Sequence, residues 1–260
     1  MSIALRQRAI EVPIQAARAG AALLALPIAA CARCHLWQLC TPCVPPAERQ
    51  PDAERVVFTR RRLLAGDLLF NEGDTFHSVY AVRSGSLKST VTLQDGREQV
   101  GGFLFAGDVL ALDAIASTRH TSTVMAIEDT QVCAISYQSL AGAMQRQTTL
   151  QRGFSRQLSL EMVRASRMLL VLGRMSAQER LAAFLLDLSS RFHDRGQSAR
   201  EFNLRMTRAE IGSYLGLTLE TVSRTLSLFQ QQGLLAVERR RIRFVDLESF
   251  AQRFESVLQG

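Results

Sequence analysis

Thr207-Arg-Ala-Glu-Ile-Gly-Ser-Tyr-Leu-Gly-Leu-Thr-Leu-Glu-Thr-Val-Ser-Arg224 reads as two helices joined by a tight turn. Thr207 is placed to cap a short helix over residues 208–215, and Gly216 supplies the turn. Thr218 caps a longer helix over residues 219–232, which stops at Gly233. Ala209, Ile211, Leu215, Leu217, Val222 and Leu226 are the apolar residues that would pack between the two. That leaves Glu220, Ser223 and Arg224 at i, i+3 and i+4, on one exposed face near the start of the second helix. Two β runs follow, residues 234–237 and 241–245, joined by Glu238-Arg239-Arg240. Helix, turn, helix and hairpin make a winged helix-turn-helix, whose second helix enters the DNA major groove by its N-terminal end. There an arginine can take guanine bidentately, a carboxylate can accept from cytosine N4, and a serine can reach a base or phosphate. Thr207, Thr218, Thr221, Arg239 and Arg241 are candidates for phosphate contact, which positions a protein on DNA without reading its sequence. Glu220 and Arg224 are also spaced as an ordinary i,i+4 surface pair.

Working back along the chain, Ser176 with Glu179 three residues on has the form of a capping box, opening a helix that runs through residues 180–192. Residues 202–206 read as a short strand. Before them, Leu158, Met162, Ala165, Leu169 and Leu172 step by 4, 3, 4 and 3, an a/d seam on a helix over residues 150–176. The small Ala165 in mid-seam suits close approach of a second helix, so the seam is expected to dimerise. From residue 56 to about residue 140, short β-rich runs alternate with turn signals such as Asn71-Glu-Gly-Asp74, Ser84-Gly85, Asp95-Gly96 and Gly107-Asp108. That spacing predicts an antiparallel barrel or jelly roll. The fold class is therefore α+β: an N-terminal β-barrel, a long dimerisation helix and a C-terminal winged helix-turn-helix.

Four cysteines stand close together near the N-terminus, Cys31, Cys34, Cys40 and Cys43, spaced C-x2-C-x5-C-x2-C; the fifth is Cys133. Such crowding means either disulfides in an exported protein or a metal or iron–sulfur site in an intracellular one. Arg6, Arg8 and Arg18 before the apolar residues 19–30 have the look of an export leader with a lipoprotein-like ending at Cys31. Pro27 and Glu11 count against it, and residues 1–30 read as a leader of unknown role. The hydrophobic share of 47% is enough for a real core without disulfide staples, and the net charge of +7 favours an anionic partner such as nucleic acid. No apolar run reaches the roughly 18 residues of a membrane span. No catalytic constellation accompanies the cysteines, so the chain does not read as an enzyme.

Barrel, dimer helix and winged helix, in that order, resemble the Crp–Fnr family of transcription regulators over roughly residues 31–250. The local wording is that of the oxygen-sensing FNR branch: Ser78-Val-Tyr-Ala-Val-Arg-Ser-Gly85, Ala106-Gly-Asp108, Ala177-Gln-Glu-Arg-Leu-Ala-Ala-Phe184 and Leu215-Gly-Leu-Thr-Leu-Glu-Thr-Val-Ser-Arg224. In that branch three N-terminal cysteines and one from the barrel ligate a [4Fe–4S] cluster. Cys31, Cys34 and Cys40 match the trio, and Cys133, in Gln131-Val-Cys-Ala-Ile-Ser136, matches the barrel ligand. Cys43 is extra, and with it the quartet would complete a zinc site of its own, leaving Cys133 as a small buried hydrophobe.

A cyclic-nucleotide binder of the family would carry Gly-Glu-Leu and an arginine for the cyclic phosphate. Here Ala111-Leu112-Asp113 and His120 stand in those places, with Arg119 one residue off, which implies that no cyclic nucleotide is bound. The Glu220–Ser223–Arg224 set resembles the FNR reading head and so implies a TTGAT-type palindrome. The resemblance implies a cytoplasmic homodimer that binds double-stranded DNA while its cluster is intact. It would activate or repress genes of anaerobic metabolism through RNA polymerase, with the turn at residues 94–98 as a contact surface. The alternative is a regulator of the same family without a cluster, its cysteines holding zinc or sensing redox state as thiols. The implied organisation is a leader (1–30), a cluster-binding loop (31–50), a barrel sensor domain (51–149), the dimerisation helix (150–176), the DNA-binding domain (177–250) and a tail (251–260).

Overall fold

The computed structural model describes residues 10–12, 56 and 58–258. The leader, save residues 10–12, and the loop expected over residues 31–50 lie outside the described residues, and with them Cys31, Cys34, Cys40 and Cys43. The chain divides into two units, Met1–Leu160 and Glu161–Gly260.

The first unit is a β roll of two antiparallel sheets. Its strands are β1 (Ile10–Val12), β2 (Phe58–Leu63), β3 (Leu68–Phe70), β4 (Ser78–Ser84), β5 (Ser86–Thr92), β6 (Glu98–Phe105), β7 (Val109–Leu110), β8 (Thr123–Ala126) and β9 (Thr130–Ser136). One sheet has the order β1-β2-β9-β4-β7 and the other β3-β8-β5-β6. Neighbours in space are therefore mostly not neighbours in sequence, which is the jelly-roll way of leaving few exposed edges. Strand β9 is central, pairing Val132 with Arg61 on one side and with Val82 on the other. Side chains alternate across a strand. Accordingly Thr130 and Val132 are buried with Leu63 and Val82 inside the roll, whereas Gln131 between them is exposed. Helix α1 (Ala114–Ser117) joins β7 to β8, and helix α2 (Tyr137–Arg146) follows β9 directly, capped by the Ser136 side chain. Leu140 and Ala143 of α2 are buried where it packs on β9 and β4.

Helix α3 (Thr148–Arg174) runs from the first unit into the second. The second unit continues with α4 (Ala177–Asp194), β10 (Glu201–Asn203), α5 (Arg208–Leu215), α6 (Leu219–Gln231), β11 (Leu235–Glu238), β12 (Arg241–Phe244) and α7 (Leu247–Leu258). The expected capping box of Ser176 with Glu179 opens α4, and Thr207, expected as a cap, forms a second box with Glu210 at the start of α5. Each satisfies two N–H groups that a helix start otherwise leaves without partners. The three-stranded wing has the order β10-β12-β11. Two expectations need correction. Ala209 is exposed rather than part of the core between α5 and α6, which consists of Ile211, Leu215, Val222 and Leu226 with Leu217 half-buried. Of the expected tail, residues 251–258 continue α7, where Phe250 and Phe254, four apart, both meet Phe229 of α6 edge-on with ring centroids 5.6 Å apart.

The bend between α5 and α6 leaves no room for a methyl group at Gly212. A Cβ there would stand 2.6 Å from the carbonyl oxygen of Leu217, on the chain just past the turn. Gly216 completes the turn at φ +62°, a left-handed conformation that costs glycine nothing. Elsewhere the backbone accepts the same conformation without glycine: Ala111 is held at φ +67° after β7.

Two measurements check these constraints. Gly212→Ala gains helix propensity but must push α6 away from α5, and overpacking of this kind costs about 1–3 kcal/mol; a lowered unfolding midpoint with weakened DNA binding is expected. Ala111→Gly relieves a left-handed strain of roughly 1–2 kcal/mol and returns about half of it as unfolded-state entropy. Urea unfolding should show unchanged or slightly raised stability for Ala111→Gly and a clear loss for the β-branched Ala111→Val.

Candidate nucleic-acid interface and thiol site

At the start of α6, Glu220 and Arg224 are both well exposed and form an ion pair one helical turn apart. Ser223 lies half-buried beside them. The structure thus brings the three predicted reading residues onto one face, with the guanidinium already engaged by its own carboxylate. Thr218 accepts from Thr221 N–H at 3.1 Å, and the two hydroxyls lie 2.9 Å apart. The Thr207 hydroxyl accepts from Glu210 N–H and donates to the Glu210 carboxylate at 2.9 Å. All three threonines are therefore bonded within their own helix starts.

The wing carries arginine at its tip. Glu238 pairs with Arg241 in register, so Arg239 and Arg240 form a two-residue turn, with Arg239 at φ +55°. Arg241 lies against Glu201 of β10, and that hydrogen bond raises its pKa further. A contributor with no signature in the sequence is Arg208, the first residue of α5. Its Nη2 donates to the Arg239 carbonyl at 3.0 Å, tying the helix to the wing turn, and burial pulls its guanidinium pKa down.

Along α3 the seam residues differ in exposure, and Leu158 packs against the hydrophobic core of its own roll. Met162 and Leu169 are 71% and 74% exposed, Ala165 is exposed, and Leu158 and Leu172 are half-buried. Val163 and Leu170, seven residues apart, are exposed as well, about 100° round the helix from the seam. Apolar side chains exposed in such a row are the usual mark of an interaction surface.

In the β roll, Cys133 is 7% exposed and stands between Arg60 of β2 and Ala81 of β4. Alternation puts it on the face of β9 opposite Val132, where it is still buried as part of the hydrophobic core. No three His, Cys, Asp or Glu side chains converge among the described residues. The chain has five thiols, and a [4Fe–4S] cluster takes four. At the position compared above with the phosphate-binding arginine, His120 is buried, its ring stacked on Phe70 with centroids 3.6 Å apart. Burial pushes its pKa down, and the nearby Asp113 and Asp74 only partly oppose this. Arg119 points elsewhere, donating to the Gly73 carbonyl at 2.8 Å. Among the described residues no helix is long and apolar enough to cross a membrane.

Comparison with known proteins agrees with this arrangement. Residues 179–253 match the family described as Crp-like helix-turn-helix domain, and residues 60–147 the one described as Cyclic nucleotide-binding domain. The chain is 40% identical over 222 residues to the transcriptional regulatory protein btr of Bordetella pertussis, covering 85% of this chain and 92% of that protein. It is equally 40% identical over 222 residues to the fumarate and nitrate reduction regulatory protein of Escherichia coli K12, covering 85% and 89%. Among solved structures, FixK2 from Bradyrhizobium japonicum superposes with a TM-score of 0.70 at 34% identity, over 76% of this chain and 97% of that one. These relatives are regulators of transcription, not enzymes. The chain belongs to the Crp–Fnr family and is a transcription regulator of the FNR type, with a DNA-binding helix-turn-helix domain.

Proposed function

We propose that this protein is a cytoplasmic, oxygen-responsive regulator of anaerobic metabolism genes that binds a TTGAT-type palindrome as a homodimer. In this reading Cys31, Cys34, Cys40 and Cys133 hold a [4Fe–4S] cluster. The observation that supports it is the place of Cys133, a buried thiol on the central strand of the roll, in a chain 40% identical to the fumarate and nitrate reduction regulatory protein. When bound, the cluster supplies an oxygen-sensitive iron–sulfur centre. Cys31, Cys34 and Cys40, fastened together with Cys133, tie the N-terminal segment to β9. Release of Cys133 unties it.

The α3 seam is the part such a tie can bias. Leu158, Met162, Ala165, Leu169 and Leu172 pair two chains. Fully burying a Leu or Met side chain is worth about 1.5–3 kcal/mol. Association costs an estimated 4–15 kcal/mol, so a stripe this short yields a marginal dimer. A bias of a few kcal/mol then moves the population between monomer and dimer. In the dimer, Glu220, Ser223 and Arg224 of each chain read a half-site. Arg239 and Arg241 contact phosphate, as do Thr207, Thr218 and Thr221 insofar as their capping bonds can be shared. The β5–β6 hairpin, with exposed Val91 and Leu93 beside residues 94–98, meets RNA polymerase. No cyclic nucleotide is bound, because His120 fills the place of the phosphate-binding arginine with a ring packed against Phe70. The domain roles follow: residues 51–149 sense, residues 150–176 dimerise and residues 177–250 bind DNA.

Protein purified without air should show a broad brown iron–sulfur absorbance that oxygen bleaches, together with palindrome binding that bleaching abolishes. Cys133→Ser and Cys133→Ala should lose both while unfolding as cooperatively as the wild type, and Cys43→Ser should lose neither. A colourless, zinc-bearing protein would support the cluster-free alternative. Full DNA affinity and intact absorbance in both Cys133 variants would sink the role assigned to Cys133.

A further inference from the structure

Arg180, in the first turns of α4, donates from all three of its side-chain nitrogens to main-chain carbonyls. Nε reaches Met175 at 2.9 Å, Nη1 reaches Leu215 at 3.0 Å and Nη2 reaches Leu172 at 2.8 Å. Leu172 lies in the last turn of α3, and Leu215 is the last residue of α5. Both carbonyls belong to the set that a helix end leaves without partners. The Ser176 N–H, four residues beyond Leu172, is taken by the Glu179 carboxylate at 2.7 Å. A positive guanidinium at the negative ends of two helices is favourable beyond its hydrogen bonds. Met175, the third partner, sits in the two-residue link between α3 and α4.

The turn of the reading head rests on this clasp. A Cβ at Gly216 would come 3.3 Å from Arg180 Nη1 and 3.5 Å from Leu172 Cδ2. Leu172, the last seam residue, therefore faces the helix-turn-helix as well. Tyr214, next to Leu215 on α5, is a second strut. Burial, then Asp187, pushes its hydroxyl up to about 12, and Glu161 and Arg164 of α3 are among the charges near it. It also packs on Phe184 of α4 with centroids 5.8 Å apart.

We propose that Arg180 is the positioning residue that locks the reading head to the dimerisation helix, and so fixes the half-site spacing the dimer accepts. This rests on the reading of the protein as a palindrome-binding dimer. Arg180 touches no DNA: it acts by pinning the end of α5, from which α6 departs after Gly216, Leu217 and Thr218. Half-sites of such dimers lie one helical turn apart, about 10–10.5 base pairs, so one inserted base pair rotates the far half-site by about 35°. A head free to swivel at Met175 and Ser176 would follow that rotation; a clasped one would not. Lysine cannot replace the arginine, since a single ammonium has no fork to span three divergent carbonyls.

The test uses full-length protein handled without air, as wild type, Arg180→Gln and Arg180→Lys. Binding is measured to a TTGAT-type palindrome, to the same half-sites one base pair closer or farther, and to a single half-site. Unfolding curves are run alongside. Wild type should prefer one spacing by about tenfold or more, in keeping with the roughly 1–3 kcal/mol of a displaced contact. Both variants should keep wild-type affinity for the single half-site, weaken on the preferred palindrome and flatten the spacing preference. An unchanged spacing preference in the variants overturns the proposal and leaves the dimer reading intact. Equal weakening on half-site and palindrome also overturns it, since Arg180 would then merely hold the domain together. A wild type indifferent to spacing overturns the dimer reading and the proposal with it.

Discussion

At Gly212 the first helix of the DNA-binding motif passes within van der Waals contact of the chain that enters the second. Everything the reading head does depends on that approach. It sets the bend between α5 and α6, lets Ile211 and Leu215 bury against Val222 and Leu226, and brings Glu220 and Arg224 to the surface. The capping threonines then hold both helix starts with side-chain oxygens, so the motif is fixed at its bend and at both N-termini. At the bend, the C-terminus of α5 is also held by Arg180 from outside the motif.

What could be read from the sequence divides along a physical line. Capping boxes, the a/d seam and the wing turn are local, written in residues three to seven apart. The Ser176–Glu179 box and the Thr207 and Thr218 caps were legible for that reason. Pairing of β9 with both β2 and β4 is not local, because main-chain hydrogen bonds carry no side-chain signature. Arg180 was invisible for the same cause: its partners are carbonyls, one of them 35 residues away. Ala209 was misplaced because a helix of only eight residues presents too few positions for its buried face to be told from its exposed one. Phe250 and Phe254 were spaced for a helix, but only Phe229 on α6 supplies the surface that orders them.

The cysteines were legible as a composition and not as a place. Five cysteines in one chain announce thiolate chemistry, yet nothing in the spacing of the first four indicates where the fifth stands. The roll answers for Cys133 by putting it in the middle strand of a five-stranded sheet. A strand paired on both sides is poorly placed to yield. Cys133 is thus held by main-chain pairing on both sides, with β2 and with β4.

The Glu220–Arg224 pair has a bearing on how this protein would respond to ionic strength. Salt weakens DNA binding in proportion to the protein charges that displace counterions from phosphate. Arg224 already lies against a carboxylate on its own helix, so the reading face contributes almost nothing to that count. On the proposed reading the salt-sensitive share would fall on the wing, where Arg239 and Arg241 are the phosphate contacts. Selectivity and adhesion are thereby assigned to different elements of one small domain. A change in ionic strength would alter how long the protein dwells on DNA in general, far more than which sequence it prefers.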